Sequence, residues 1–224
     1  MFHVKHLVFI LVFIPLFSFS QIGTTELPVV DLPIFKQNDS IVRQFNNQFP
    51  EIKSFLSIKQ EWFYWTNYSR NNPKEFYDSV VEPLLKSFPT LKTSNTNSLR
   101  KDLYKATSLP MMKPSKNLQQ VAQSFASQMA DKKASPSHIS PSGSTFQSRM
   151  ESIRIKNCAG ENLSYGPTNT VLMLVLLYID EGVSGLGHRK TLLDPMFTEM
   201  GIGYAEYPDN KHIVIQDFSC NQTP

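Results

Sequence analysis

Hydrophobic positions recur with a helical period through the first two thirds of the chain and follow strand-like runs only near its end. Trp62, Phe63, Trp65 and Tyr68 fall in one short helical window that closes near Asn71-Asn72-Pro73. The next window carries Phe76, Val80, Val81, Leu84 and Leu85 on one face. Both predict core-facing helices, and aromatics clustered in this way are packing groups rather than a ligand cage. Residues 87–114, punctuated by Pro89, Pro110 and Pro114, read as irregular. Leu118, Val121, Ala122, Phe125, Ala126 and Met129 then recur by threes and fours and predict the clearest helix, with Ser115 as its cap. A polar stretch from Asp131 to Ser137 leads to His138, in a loop with Pro136, Pro141 and Gly143. Phe146, Met150 and Ile153 make Thr145 to Ile155 a short amphipathic segment, and Cys158 to Tyr165 reads as loop passing into strand.

The run Val171 to Leu177 is apolar on all sides, which suits a helix buried at the domain centre and is too short to cross a membrane. After a turn holding Gly182, Gly185 and Gly187, two strands are predicted, Gly201 to Tyr207 and His212 to Phe218, joined through Pro208-Asp209-Asn210. No internal repeat is present. The pattern is α+β, helices first and then a small sheet covered by more helix.

The N-terminus differs from the rest. His3, Lys5 and His6 precede an apolar run from Leu7 to Phe17, and Ser18-Phe19-Ser20 supplies small residues for cleavage before Gln21. This is the layout of a secretory signal peptide over residues 1–20, so a secreted or periplasmic protein is expected. Residues 21–57, rich in Pro, Asn, Gln and Asp in their first part, read as a leader or linker, and residues 58–224 as one domain. At 224 residues and 41% hydrophobic composition, the chain has enough apolar material for a sizeable core.

A net charge of +3, with Lys and Arg scattered and no basic stripe between aromatics, argues against nucleic-acid binding. A membrane span is not expected either, and a monomer is. After export two cysteines remain, Cys158 and Cys220. In an oxidising compartment a lone pair most simply forms a disulfide, contributing about 4 kcal/mol by chain-entropy arithmetic; two unpaired buried thiols are the alternative. Spacing this wide with only two sulfurs argues against structural zinc.

Candidate chemistry centres on His138 and His188, each in a Gly- or Ser-rich loop beside a helical segment, whereas His212 lies among strand residues and is expected to face solvent. Glu161 and the pair Asp180-Glu181 have similar surroundings. Singly, each is more often a solvated surface group; the set and its order carry the weight.

That order is His138, Arg149, GENLSYG from Gly160, GHRKTLLDP from Gly187 and GIGYA from Gly201, preceded by the helix LQQVAQSFASQMA and the opening segment EWFYWTNYSRNNPKEF. It resembles the cysteine-rich secretory protein/antigen 5/pathogenesis-related (CAP, or SCP-like) superfamily, in its shorter bacterial branch, over roughly residues 58–220. The resemblance implies a three-layer α-β-α sandwich around a small, mainly antiparallel sheet, with a cleft holding two histidines and two acids. His138 and His188 would be the histidines, Glu161 the first acid, and Glu181 is assigned the second place, with Asp180 beside it. Many relatives carry a Trp in the helix before the second histidine and a short Ser-Pro-Gly approach to it, where this chain has LLYIDEGVSGLGHR.

Two neutral imidazoles can ligate Zn²⁺, so His138 and His188 are the candidate metal ligands, with nearby carboxylates orienting water or ring. Arg149, Asn162 and Arg189 are expected to build the wall. Ligand classes implied by the resemblance are lipid, metal, or a cell-wall or peptide polymer fragment. The alternative is a metal-assisted or Glu/His hydrolase of peptides. No HExxH or other hydrolase signature is present, and loop serines at 137, 140 and 164 are weak nucleophile candidates.

Overall fold

The structure is a computed structural model that describes residues 27–166, 169–208 and 210–220. The expected signal segment, residues 1–20, lies outside the described residues, as does Asp209 of the expected turn. Within the stretch read as a leader or linker, two short helices form, α1 (Ser40–Asn47) and α2 (Pro50–Lys53). Asp39 caps α1, its carboxylate accepting from the Val42 amide at 2.8 Å. Val42 is fully buried, and Asn67 donates to Asn46 at 2.9 Å, so α1 is fastened to the helix that follows.

That helix, α3 (Ser57–Asn71), buries Trp62, Phe63, Tyr64 and Trp65. Pro73 opens α4 (Pro73–Phe76), which runs through a π-helical turn, Tyr77–Val81, into α5 (Glu82–Ser87). The widened turn immediately precedes Glu82-Pro83, where proline has no N–H for an ordinary helical bond.

Residues 87–114 are not all irregular. They contain a single 3₁₀ turn, Pro89–Leu91, and a twelve-residue helix, α6 (Ser94–Lys105). Its composition is polar, and only Thr96, Leu99 and Leu103 turn inward. The sequence signal was a reciprocal cap: the Thr93 amide donates to Thr96 Oγ1 at 2.7 Å.

The four strands are β1 (Lys113–Pro114), β2 (Ala159–Gly166), β3 (Glu199–Glu206) and β4 (His212–Ser219), in the order β1-β3-β4-β2. β1 runs parallel to β3, and the other pairs are antiparallel. Side chains alternate, so Ile213, Ile215 and Leu163 meet Ala122, Phe125 and Met129 of α7 (Lys116–Asp131) on one face. On the other face Met200, Ile202, Val214 and Phe218 join the aromatics of α3 and the apolar α9 (Thr170–Ile179). α8 (Phe146–Ser152) sets Met150 against Leu118 on the α7 side, and α10 (Gly187–Leu193) follows α9. The architecture is the expected α-β-α sandwich around a small, mainly antiparallel sheet.

Because β1 pairs only with Glu199 and Met200, the outer edge of β3 beyond them needs other partners. Helix α7 supplies them. Gln119 accepts from the Ile202 amide at 3.0 Å and donates to its carbonyl. Gln123 does the same for Tyr204, at 3.2 and 2.9 Å. The Lys59 ammonium, nearly buried, donates to the same Gln123 oxygen at 2.6 Å.

Burial lowers the Lys59 pKa to about 8. The unfolded chain holds that proton up to pH near 10.5, so the native state is penalised fully below pH 8 and regains stability as pH rises from 8 to 10.5. Lys59→Met is therefore expected to raise the melting temperature at neutral pH, with the gain shrinking across that window. Thermal unfolding at pH 7 and pH 10 tests this, and an equal effect at both would refute it.

Cys158 and Cys220 form a disulfide with Cα atoms 5.7 Å apart, joining the approach to β2 to the residue after β4. His212 departs from its expected exposure. It is buried, stacks on Tyr204 at 5.4 Å, and shares a 2.6 Å hydrogen bond with the Tyr204 hydroxyl. The cause is the central position of β4, every residue of which is buried.

Candidate functional site

The two candidate histidines are each held by an acid, His138 by Glu161 of the edge strand β2 and His188 by Asp180 at the α9–α10 connection. His138 stands in the loop between α7 and α8. Its Nδ1 lies 2.7 Å from Glu161 Oε1, and since a carboxylate oxygen only accepts, Nδ1 carries a hydrogen, which in the neutral ring leaves the lone pair on Nε2. Nε2 is itself buried and has no partner among the described residues.

Arg149, from α8, donates to Glu161 Oε2 at 2.5 Å and to the carbonyls of His138 and Ser144 at 3.2 and 2.9 Å. Its guanidinium lies 3.7 Å from the Phe125 ring centre on α7, a cation–π contact in a buried setting. Glu161, 2% exposed, thus has one oxygen on a histidine and the other on an arginine.

The second pair forms at the α9–α10 connection. Asp180 ends α9 in the left-handed region (φ 59°), a conformation Asp tolerates better than most residues. This turns its carboxylate to the start of α10, where it accepts from the His188 amide at 2.9 Å, the Arg189 amide at 3.3 Å and His188 Nδ1 at 2.6 Å. An acid at the first turn of a helix is favoured by the orphan N–H groups there.

Glu181, assigned this place on resemblance, is turned the other way by the same left-handed step. It accepts from Thr93 Oγ1 at 2.6 Å, at the start of α6. Asp180 is the acid that engages His188.

Arg189 is buried and donates to the Tyr178, Ile179 and Asn95 carbonyls, Ser98 and Asp102. It ties α10 to α9 and α6. Asn162 lies on the opposite face of β2 from Glu161, its amide 3.4 Å from the His188 carbonyl. Of the three candidate serines, Ser140 bonds Ser142 and accepts from the Ser144 amide, Ser137 accepts from the Ile139 amide, and Ser164 lies on the face of β2 opposite Glu161.

Each ring is tied through Nδ1 to its own acid, which fixes ring orientation and leaves Nε2 as the working nitrogen. Among the described residues, no group of three or more His, Cys, Asp and Glu side chains is arranged to hold a metal ion.

One acid had no place in the sequence reading. Asp217 of β4 is the cross-strand partner of Glu161 and is wholly buried. Burial first, and then the neighbouring Glu161 charge, push its carboxyl well above the usual carboxylate range, against the pull of Arg149. The available signal was an ionisable residue inside the near-continuous run His212 to Phe218.

Helices on both faces of a small mixed sheet define the class of domain. The CAP family model, described as the cysteine-rich secretory protein family, matches residues 93–218, more than half of the chain, and the chain belongs to that family. No curated protein matches it.

Among solved structures the chain is similar to an extracellular protein containing an SCP domain from Bacillus anthracis str. Ames. Identity is 27%, with a TM-score of 0.41, over 50% of this chain and 35% of that one. It is also similar to an outer surface protein from Borrelia burgdorferi, at 20% identity and a TM-score of 0.42, over 61% of this chain and 94% of that one. The chain thus spans about a third of the Bacillus protein.

Proposed function

We propose that this is an exported CAP-domain binding module that holds a small ligand, a lipid or a cell-wall or peptide fragment, at the histidine–acid site. One observation carries the reading: Glu161 is spent on holding its neighbours. With one oxygen on His138 and the other on Arg149, and 2% exposed, it is placed to orient an imidazole rather than to take a proton from water. The hydrolase alternative needs that base or a nucleophile, and Ser137 and Ser140 are already engaged. What the site offers a ligand is His138 Nε2, a buried acceptor in want of a donor. Export is supported by the N-terminal pattern of residues 1–20 and by a disulfide suited to an oxidising compartment. No helix of the described residues is long and apolar enough to cross a membrane.

Native purification followed by mass spectrometry tests the proposal. A retained ligand is expected in the parent and a loss of at least tenfold in its occupancy in the His138→Ala/His188→Ala variant. Equal retention in both, or turnover of peptide substrates by the parent, would overturn it.

For zinc, the donors on offer are the two imidazole Nε2 atoms, with no third donor in a metal-holding group among the described residues. The binding proposed is accordingly weak. It is lost in the double variant. Calorimetric titration with zinc measures this, and undiminished binding by the double variant would exclude these histidines as ligands.

A further inference from the structure

We propose that Asp217 is a positioning residue for the site: it and Glu161 share one proton, resident on Asp217, whose O–H donates to a Glu161 oxygen. The inference goes beyond the binding reading and holds whether or not the site takes a ligand. Its basis is the ladder. Glu161 and Asp217 are paired directly across β2 and β4, so their side chains leave the sheet together on the α7 side.

Asp217 is fully buried, and neither of its oxygens meets a donor among the described residues. The other groups around it cannot serve. On β3 its neighbour is Gly201, and α7 brings Leu118 and Phe125 to this face. The charged groups nearby are Glu161 of β2 and Arg149 of α8, with His138 behind Glu161. The NH1 and NH2 groups of Arg149 are directed at Glu161 and at the carbonyls of His138 and Ser144, and its buried Nε–H bonds neither Asp217 oxygen.

Two facing carboxylates are acceptors only. Left doubly ionised, the pair would combine an unsolvated charge with a like charge beside it, and no donor between them. A single proton removes the repulsion and supplies the missing donor. The elevated affinity of Asp217 for its proton agrees with this. Glu161 then accepts from three directions, His138, Arg149 and Asp217, and the single negative charge of the pair is matched by the guanidinium of Arg149. The face of Glu161 turned to His138 is thereby fixed from below.

Infrared spectroscopy of the full chain at neutral pH tests the proposal. A protonated-carboxyl C=O band is expected in the parent and its loss in Asp217→Asn, whose amide N–H still donates to Glu161. In Glu161→Gln the side-chain amide can donate to Asp217, so the band is expected to shrink. The stability profile supplies a second reading. An unfolded Asp sheds its proton near pH 3.9, whereas the native one keeps it to higher pH. The parent therefore loses stability relative to Asp217→Asn as pH rises through that window. Absence of the band in the parent, its survival in Asp217→Asn, or parallel stability profiles would each overturn the assignment. The parent spectrum alone decides if the variants do not fold.

Discussion

Gly203→Ala is expected to destabilise the domain by about 3 kcal/mol or more, with Gly201→Ala close behind it. A Cβ at Gly203 would overlap the backbone carbonyl of Ala122, and one at Gly201 would overlap the backbone at Leu118 and Gln119. Both obstacles are main chain in the first half of α7, so no side-chain rotation relieves them. Either the helix lifts or the strand bends. Overpacking of a well-filled core commonly costs about 1–3 kcal/mol, and here a lift has a further consequence. Gln119 and Gln123 bond the free edge of β3 at Ile202 and Tyr204, and those bonds require the close approach the glycines allow. Their loss would strand buried backbone groups. Chemical denaturation measures the cost. A change within about 1 kcal/mol for Gly203→Ala would show that α7 can move off the strand at little cost.

The same glycines illustrate what the sequence disclosed and what it did not. The motif GIGYA was legible as part of a family pattern, yet the reason for two glycines in a strand, a helix lying on its backbone, is a tertiary fact. Helices with one apolar stripe or an apolar surface all round, such as α3, α7 and α9, were readable because burial sets their composition. Helix α6 was not, because it faces the core through Thr96, Leu99 and Leu103 alone and its sequence is otherwise polar. Helix α1 escaped for the same reason, with Val42 as its buried residue.

At the site, His138, Glu161 and His188 were legible from motif order, and Arg149 and Arg189 as structural ties. The choice between Asp180 and Glu181 depended on a single left-handed residue at the end of α9, which no periodicity encodes. Asp217 was hidden in a strand whose two faces are both covered, where alternation disappears and an acid looks like any other position.

Arg70→Met is expected to cost about 3–5 kcal/mol, enough to unfold a domain of ordinary stability under mild denaturant. Arg70 lies in α3, fully buried, and burial lowers its pKa from the ordinary guanidinium value. Carbonyls, not a carboxylate, satisfy it. Nε donates to Pro110 at 2.8 Å, NH1 to Leu192 at 2.7 Å, and NH2 to Asp194 and Phe197 at 3.0 and 2.9 Å.

Leu192 is in the last turn of α10, where carbonyls lack intrahelical partners and the helix dipole favours a cation. Asp194 and Phe197 belong to the segment between α10 and β3, and Pro110 to the approach to β1. One planar group with five donors thereby fastens three segments, a task the compact ammonium of lysine does not match. Methionine fills much of the volume and strands the buried carbonyls of Leu192 and Phe197, each worth about 1–3 kcal/mol when left unpaired, while water reaches those of Pro110 and Asp194 more readily. Arg70→Lys should fall between parent and Met by keeping one or two of the bonds.

The effect should also reach the site. His188 lies in the first turn of α10, so loosening the C-terminal end of that helix loosens what Asp180 holds at the other. Urea unfolding gives the stability of each variant, and ligand retention at a temperature where both remain folded gives the site's response. An Arg70→Met protein as stable as the parent would mean that water reaches these carbonyls, and that the guanidinium is not what holds α10 to α3.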